Sequence, residues 1–264
     1  MLDPAAPVLH ADDEGVLRGR AVFETLRVYG GLPFKLDAHL ARLGASAGRL
    51  RLPAPPYDAF GEAAGAAVHA GGRPDCTLRL LWTAGREGGG PPLGLALVST
   101  LPPGLDELRA RGLKLAVVRW AAGALAGAKS TSYAENISAQ HEATEEGADD
   151  ALLVAPDETI LEAPTSNVWF REGTRLLTPS LALPLLAGVT RATLWDLAPP
   201  AGYEVEEGAY PVARLLAADE VFLSSSVREV APVVAVDGKP VGGGTPGPAA
   251  ASLQRALRAA AELG

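Results

Sequence analysis

The sequence predicts an α/β (α+β) protein of two domains, and three observations lead to this fold class. Strand-like and helix-like segments are mixed along the 264 residues, with hairpin patterns both early and late. The hydrophobic fraction of 48% is sufficient for a sizeable core. Residues 120 to 127, which are rich in alanine and glycine, are typical of a linker. We therefore expect an N-terminal domain over residues 1 to 119 and a larger C-terminal domain over residues 120 to 264.

The N-terminal domain is predicted to begin with a β-hairpin. Residues 20 to 36, RAVFETLRVYGGLPFKL, alternate in two runs about Gly30 and Gly31, a pair typical of a tight turn. Asp37 is expected to cap the helix that follows. The further expected elements are helices near 37 to 50 and 57 to 70, strands near 76 to 83 and 93 to 100, a helix near 104 to 111 and a strand near 113 to 120.

The C-terminal domain is predicted to mix strands and helices in the same way. The expected elements are a helix near 132 to 146, strands near 151 to 156 and 159 to 163, a hairpin over 167 to 177, a helix from about 189, strands near 219 to 224 and 231 to 236, and a final helix near 248 to 263. Residues 242 to 248, GGGTPGP, are predicted to form a short linker.

Composition and charge argue against several classes of function. The formal net charge of -8 disfavours a nucleic-acid partner or an anionic membrane partner. The single cysteine excludes an intramolecular disulfide, and the four histidines have no metal-ligand spacing, so no metal site is expected. The sequence has no leader pattern and no apolar run long enough to span a membrane. We therefore expect a soluble cytoplasmic protein that acts on a small molecule.

Lys129 is the first candidate for chemistry. The chain has 23 lysines and arginines, of which only four are lysines, namely Lys35, Lys114, Lys129 and Lys239. Lys129 lies in residues 126 to 137, AGAKSTSYAENI, where small neighbours would admit a bulky group. Only a lysine amine can lose its proton and become a nucleophile, which arginine cannot do. Lys129 is therefore a candidate for covalent catalysis, and an ordinary surface lysine is the alternative.

Glu162 is the second candidate, because it lies in residues 160 to 170, ILEAPTSNVWF, at the end of an apolar strand where an acid is unexpected. A buried carboxylate is costly unless it is paired. The functional interpretation is a buried acceptor for a protonated heterocyclic nitrogen, oriented by the short polar side chains of Thr165, Ser166 and Asn167. The alternative is a turn-exposed glutamate beside Pro164.

Two stretches and one arginine are candidates for binding an anion. Residues 187 to 192, AGVTRA, put Gly188 and Thr190 at the start of an apolar helix, where free backbone N–H groups favour an anion. The three serines in residues 222 to 232, FLSSSVREVAP, offer a second set of donors. Arg42 lies on the polar face of a predicted helix. The alternatives are a plain helix cap, a polar turn and a solvated charge.

An amine, a buried carboxylate and an anion cup together describe what pyridoxal 5'-phosphate needs. Five motifs follow one another in the chain: HLARLGASAGRL (39 to 50), AKSTSYAEN (128 to 136), LEAPTSNVWF (161 to 170), LLAGVTRATL (185 to 194) and ADEVFLSSSVREVAPV (218 to 233). With these motifs the sequence resembles the class IV pyridoxal-phosphate enzymes of fold type IV, which include branched-chain aminotransferases, D-amino-acid aminotransferases and aminodeoxychorismate lyases. The resemblance implies two α/β domains with the cofactor between them, in a homodimer whose partner completes the substrate pocket.

The resemblance also implies a role for each matching residue. Lys129 would form a Schiff base with the cofactor and, once freed, would move the substrate proton. Glu162 would pair with the pyridinium nitrogen, and Tyr133, placed one helical turn after Lys129, matches a tyrosine common near the lysine. The implied cofactor-binding residues are Arg42, Lys129, Glu162, Asn167, Gly188, Val189, Thr190, Ser225 and Ser226. The implied substrate-binding residues are Phe23, Thr25, Arg27, Arg86, Val227 and Arg228.

The family does not fix the reaction, because lyase and aminotransferase chemistry begin with the same proton abstraction. The short chain, Thr25 and the glycine-rich loop 83 to 92 favour a 4-amino-4-deoxychorismate lyase, which forms 4-aminobenzoate and pyruvate. Arg27, Arg86 and Arg228 are candidate partners of its dicarboxylate substrate. The same loop lacks the histidine of the Arg-x-His pair typical of D-amino-acid aminotransferases. The alternative is a class IV aminotransferase that transfers an amino group to a 2-oxo acid.

Two hypotheses from other classes stay open at this point. A catalytically silent carrier of the cofactor would keep the anion cup, although the presence of both Lys129 and Glu162 argues against it. A Lys-Ser amide hydrolase built on Lys129 and Ser130 would need no cofactor. A colourless but active preparation would favour the hydrolase.

Overall fold

The computed structural model describes residues 8 to 262 and divides them into two compact units. Unit 1 comprises residues 8 to 101 with Gly127–Tyr133, and unit 2 comprises Pro102–Ala126 with residues 134 to 262. This division differs from the expected boundary after Arg119. The residues before that position, from 102 onward, pair and pack with unit 2, and the residues around Lys129 belong to unit 1.

Unit 1 contains one antiparallel sheet covered by helices. Its elements are α1 (Glu14–Leu17), β1 (Ala21–Tyr29), β2 (Leu32–Pro33), α2 (Leu36–Arg49), α3 (Tyr57–Gly71), β3 (Cys76–Thr83) and β4 (Gly94–Ser99). The strand order is β2-β1-β3-β4. Gly30 and Gly31 both have positive φ, so they form the tight turn that the hairpin pattern predicts. The helix after it begins at Leu36, so Asp37 lies in its first turn and is not its cap.

The two faces of the unit 1 sheet differ in their environment. On one face, alternate residues of β1 and β3 pack with α2 and α3 into a closed apolar core that includes Leu26, Leu43, Phe60 and Leu78. On the other face, alternate residues are half-buried or exposed, as the strand period of two requires. The residues of this open face are Phe23, Thr25, Arg27 and Tyr29 from β1, Thr77, Arg79 and Leu81 from β3, and Leu95, Leu97 and Ser99 from β4.

Unit 2 contains a larger mixed sheet. Its elements are α4 (Leu105–Arg111), β5 (Leu113–Arg119), α5 (Ala134–Glu145), β6 (Asp150–Val154), β7 (Asn167–Glu172), β8 (Arg175–Pro179), α6 (Val189–Leu197), β9 (Glu204–Gly208), α7 (Val212–Leu216), β10 (Glu220–Ser225), β11 (Glu229–Val236), β12 (Lys239–Pro240) and α8 (Pro248–Glu262). The strand order is β6-β5-β11-β10-β7-β8-β9, and β12 pairs with β11. Because β5 pairs in parallel with both β6 and β11, it belongs to this unit.

Three features of unit 2 differ from the sequence-based expectation. The acidic strand β9 and the short helix α7 have no clear hydrophobic period and were not expected. Residues 159 to 163 form isolated bridges to Val154, Pro211 and Ser166, where a continuous strand was predicted.

The strands β7 and β10 pair antiparallel, with Asn167 opposite Ser224, and this pairing positions the residues considered below. No helix within residues 8 to 262 is both long enough and apolar enough to cross a membrane.

Candidate active site

Lys129 is held in an extended segment against the first strand of unit 1. The Phe23 amide donates to the Lys129 carbonyl at 2.9 Å, and the Thr131 amide donates to the Ala21 carbonyl at 2.9 Å. Ser130 lies opposite Val22 in an antiparallel bridge. The Lys129 amide donates to Ser46 Oγ of α2 at 3.1 Å. These backbone bonds fix the base of the lysine side chain.

The lysine amine lies beside an aromatic pair. Lys129 Nζ is 4.7 Å from the centroid of the Phe23 ring, so it shares the open face of the sheet. Phe23 and Tyr133 meet edge to face with centroids 5.6 Å apart. The structure therefore brings Lys129, Phe23 and Tyr133 together, and we call these three residues the lysine cluster. Because Lys129 is extended and α5 begins only at Ala134, the expected separation of one helical turn between Lys129 and Tyr133 is wrong.

Arg42 belongs to a buried ionic network that the sequence analysis did not identify. Its Nε and Nη2 donate to the carboxylate of Glu24 at 2.9 and 2.6 Å. His39 Nδ1 lies 2.7 Å from the same carboxylate. Glu24 is fully buried on the core face of β1, although its neighbours on that face are apolar. The two hydrogen bonds to Glu24 fix one edge of the Arg42 guanidinium. The role of Arg42 in binding a phosphate stays a prediction.

The network has defined charge states. Burial opposes ionisation of Glu24, but the hydrogen bonds from Arg42 and His39 outweigh it and hold the pKa of Glu24 below its usual value. Burial lowers the pKa of His39, although the hydrogen bond and charge of Glu24 act the other way. At neutral pH the network therefore consists of a carboxylate, a guanidinium and a neutral imidazole that donates through Nδ1.

The open face beside the lysine cluster carries arginines. Arg79 Cζ is 5.8 Å from the Phe23 ring centroid, so Arg79 and Lys129 flank the same ring. The strand register puts Thr25 opposite Arg79, with Arg27 two residues along. In the part of the chain that the structure describes, this face has no acidic strand residue. Arg27 was predicted from the sequence and Arg79 was not, because only the pairing of β1 with β3 shows that the two share a face.

Arg86 and Arg228, the other predicted substrate cations, are both paired with acids. The Arg86 guanidinium donates to both oxygens of Asp12, with its shortest contact at 2.7 Å, in an exposed pair. Arg228 Nη1 donates to the carboxylate of Asp150, which is fully buried. The substrate-binding roles of Arg86 and Arg228 stay predictions. The charge of each guanidinium is already balanced by an acid of the same chain.

Glu162 is half-buried in unit 2 and is oriented by two donors. Its Oε2 accepts from the Leu186 amide at 3.2 Å and from Asn167 Nδ2 at 3.3 Å. Asn167 Nδ2 also donates to the Leu186 carbonyl at 2.9 Å. The carboxylate is thus fixed in place by an amide side chain and a loop backbone. Leu186 was not identified from the sequence, because a backbone donor leaves no sequence pattern.

The backbone at Gly188 lies so close to the Asn167 side chain that the position favours a residue without a Cβ atom. A Cβ atom at residue 188 would lie 1.9 Å from Asn167 Oδ1, so any side chain there would force the asparagine or the helix start to move. Gly188 caps α6, and Val189 and Thr190 form its first turn, whose amides have no partner within the helix. This helix start favours an anion, as the sequence analysis expects.

The turn between β10 and β11 lies next to the same asparagine. Ser224 is opposite Asn167 in the sheet, and residues 225 to 228 follow directly as a half-buried turn. The Arg228 amide donates to Ser225 Oγ at 3.3 Å within this turn. We call residues 188 to 190 and 225 to 227 the anion cradle, because both of its segments adjoin Asn167 and both offer backbone or hydroxyl donors.

Comparison with known proteins identifies the family. The family model for amino-transferase class IV matches residues 21 to 236 of this chain. The chain belongs to the class IV aminotransferase family. A bifunctional aminodeoxychorismate lyase / D-amino acid transaminase of Mycobacterium tuberculosis is 34% identical to this class IV protein over 258 residues, which cover 90% of this chain and 89% of that relative. An aminodeoxychorismate lyase of Bacillus subtilis is 30% identical, over 87% of this chain and 82% of that relative.

A solved structure agrees with the family assignment. The pyridoxal-phosphate-bound form of a hypothetical aminotransferase from Mycobacterium tuberculosis matches with a TM-score of 0.92 and 32% identity, over 98% of this chain and 95% of that chain. This class IV protein therefore has the type IV fold and is a pyridoxal-phosphate-dependent enzyme.

Each unit has residues that suit one part of the cofactor chemically. The anion cradle has donors for a phosphate and a glycine where a Cβ atom would clash. Glu162 is a fixed carboxylate suited to a protonated ring nitrogen. Lys129 is a half-buried amine on a backbone that hydrogen bonds hold in place. These are the three groups that pyridoxal phosphate requires.

Proposed function

We propose that this enzyme is an aminodeoxychorismate lyase, which converts 4-amino-4-deoxychorismate to 4-aminobenzoate and pyruvate. The observation that carries the proposal is the open face of the unit 1 sheet, where Arg27 and Arg79 lie on the same face as Lys129 and none of the described strand residues of that face is acidic. A substrate with two carboxylates suits two guanidinium groups in a protein of net charge -8. The names of the two relatives above support the same reaction.

In this proposal the chain's own residues have the following tasks. When bound, pyridoxal phosphate supplies an aldehyde that condenses with amines and a ring that accepts electrons. Lys129 Nζ would hold the cofactor through its aldehyde. Glu162 would bind the ring nitrogen, and the anion cradle would bind the phosphate. Arg42 would be a further phosphate ligand.

Lys129 then acts as the base. Its freed amine removes the proton from the substrate carbon that bears the amino group. The carbon–oxygen bond to the enolpyruvyl group breaks, and that group leaves as pyruvate once it has been protonated. The ring becomes aromatic and keeps its nitrogen as 4-aminobenzoate. The reaction therefore balances without an amino acceptor.

A class IV aminotransferase is the second candidate function. It is favoured by the name of the bifunctional relative, which includes D-amino acid transaminase. The same open face would accept a dicarboxylic 2-oxo acid such as 2-oxoglutarate, because this acid also carries two carboxylates. Lys129 and Glu162 would have the same tasks in this reaction.

The test is to incubate the cofactor-loaded enzyme with 4-amino-4-deoxychorismate and to follow both products without any 2-oxo acid. We expect equal amounts of 4-aminobenzoate and pyruvate over many turnovers, and no products from the Lys129→Ala variant. If neither product forms, while D-alanine or a branched-chain amino acid with 2-oxoglutarate is consumed, the enzyme is an aminotransferase and the lyase proposal fails.

A further inference from the structure

Glu229 directly follows the turn 225 to 228. Its backbone conformation and its burial are both energetically unfavourable for a glutamate. Its φ is +59°, in the left-handed region that favours glycine. Five described non-glycine residues have positive φ, and of these only Glu229 is buried. Its carboxylate is fully enclosed, which is costly unless the charge is paired. A glycine or an apolar residue would avoid one of these two costs.

The carboxylate is paired with three side chains from two helices. Gln254 Nε2 donates to Glu229 Oε2 at 2.7 Å, and Arg258 Nη2 and Arg109 Nη1 lie 3.1 and 3.2 Å from the same oxygen. Gln254 and Arg258 belong to α8, and Arg109 belongs to α4. Glu229 therefore connects the sheet to both helices.

The same partners also hold the backbone on each side of Glu229. Arg109 Nη1 donates to the carbonyl of Arg228 at 3.0 Å. The amide of Val230 donates to Gln254 Oε1 at 2.9 Å. Ser225, the last residue of β10 and the first of the turn, lies opposite Glu229 in the hairpin. The carboxylate thus organises a clamp at the base of the turn, which we call the Glu229 clamp (Glu229, Arg109, Gln254 and Arg258).

We propose that Glu229 is a positioning residue, whose carboxylate holds the turn 225 to 228 in the conformation with which the anion cradle binds phosphate. Backbone strain beside a binding segment persists only where the surroundings impose it, as the clamp does here. This inference rests on the proposed role of the turn in binding the cofactor phosphate. Glu229 itself is not expected to contact the cofactor or the substrate.

The experiment compares Glu229→Gln with Glu220→Gln in the full-length protein. Glu220 is a matched control, because it is also a buried acid of unit 2 and also contacts α8, through the amides of Ala249 and Ala250. Amide hydrogen exchange at residues 226 to 228 is measured without cofactor, and the dissociation constant of pyridoxal phosphate is measured by titration. Thermal unfolding is recorded for both variants.

We expect both variants to unfold at lower temperature, but only Glu229→Gln to loosen the turn. Its amides at 226 to 228 should exchange about tenfold faster than those of the wild type, and cofactor affinity should fall by about tenfold, as for the loss of one charged hydrogen-bond acceptor. Glu229→Gly removes the backbone strain as well as the carboxylate, and it should loosen the turn too. If the fold does not tolerate these changes, Arg258→Gln removes one half-exposed partner and should give the same pattern more weakly.

Wild-type exchange and wild-type cofactor affinity in Glu229→Gln or Glu229→Gly would overturn the proposal. Equal loss of affinity in Glu229→Gln and Glu220→Gln would also overturn it, because a general loss of stability would then explain both. If the wild-type protein binds no pyridoxal phosphate, the proposed function fails, and the exchange rates of the cofactor-free variants alone decide whether the clamp holds the turn.

Discussion

The two units carry candidate site residues of different chemistry. Unit 1 supplies charged side chains, namely Lys129, Arg27 and Arg79 on its open face and Arg42 in a buried network. Unit 2 supplies the anion cradle, whose donors are backbone amides and serine hydroxyls, together with one fixed carboxylate, Glu162. The cradle has no charged side chain, whereas the open face of unit 1 carries two arginines. This contrast predicts that substitutions in unit 1 change reactivity and substrate choice, and that substitutions in the cradle change cofactor affinity.

The largest effect is expected from Lys129→Ala in unit 1. Loss of a general base costs about 10²- to 10⁴-fold in turnover, and the loss of covalent attachment adds to this. Lys239→Ala is the control, because Lys239 is exposed on β12 of unit 2. Turnover of the cofactor-loaded variants is the measurement. Activity of Lys129→Ala within tenfold of the control would remove the proposed mechanism.

The next largest effect is expected from Gly188→Ala in the cradle. The added Cβ would lie 1.9 Å from Asn167 Oδ1, so the asparagine or the helix start must move. Such overpacking costs about 1–3 kcal/mol, and we expect most of this cost to show as weaker cofactor binding in a titration. Gly61→Ala is the matched control, because its Cβ would meet nothing within 4 Å in α3. Equal cofactor affinity in both variants would contradict the assignment of the cradle.

A smaller and more selective effect is expected from Arg79→Ala. Loss of a charged hydrogen bond of about 1.5–3 kcal/mol should raise the KM for a dicarboxylate by tenfold or more and leave the affinity for pyridoxal phosphate unchanged. Arg255→Ala, which removes an exposed arginine of α8, is the control. Steady-state kinetics with both variants sharpen the contrast between the units. An unchanged KM would mean that the open face does not select the substrate by charge.

The smallest effect is a dependence of stability on pH that originates in unit 1. His39 has a lowered pKa in the folded state, so the unfolded chain binds its proton first as the pH falls, and stability decreases between the unfolded and folded pKa values. Glu24 also has a lowered pKa, so its contribution is present above the unfolded value and is lost at lower pH. Urea unfolding of the wild type and of His39→Gln at pH 7 and pH 5 checks the histidine term. The wild type should lose more stability than the variant, and equal losses would contradict the assignment.

The sequence predicted most elements of both units, because their hydrophobic periods are clear. Examples are the hairpin about Gly30 and Gly31 and the strands β7 and β8. The acidic strand β9 was missed because its stability comes from pairing with β8 and not from its own pattern. The units divide after Leu101 and not after Arg119, and this could not be inferred from the sequence because the partners of β5 are distant along the chain.

Candidate site residues with their own motif were easier to predict than those defined by pairing. Lys129, Glu162 and Gly188 stand out by type and by neighbours. Arg79 and Glu24 do not, because their significance depends on which strand or helix lies opposite. Glu229 has the same character, since a left-handed backbone and enclosure by two helices cannot be inferred from a single sequence.

The most direct test of the account is to find the lysine that binds the cofactor. The protein is loaded with pyridoxal phosphate, reduced with borohydride, digested and mapped by mass spectrometry. We predict that the pyridoxyl group is on the peptide containing Lys129, and that peptides containing Lys35, Lys114 and Lys239 are unmodified. A pyridoxyl group on one of those three lysines, or on none of the four, would contradict the central claim that Lys129 is the reactive amine.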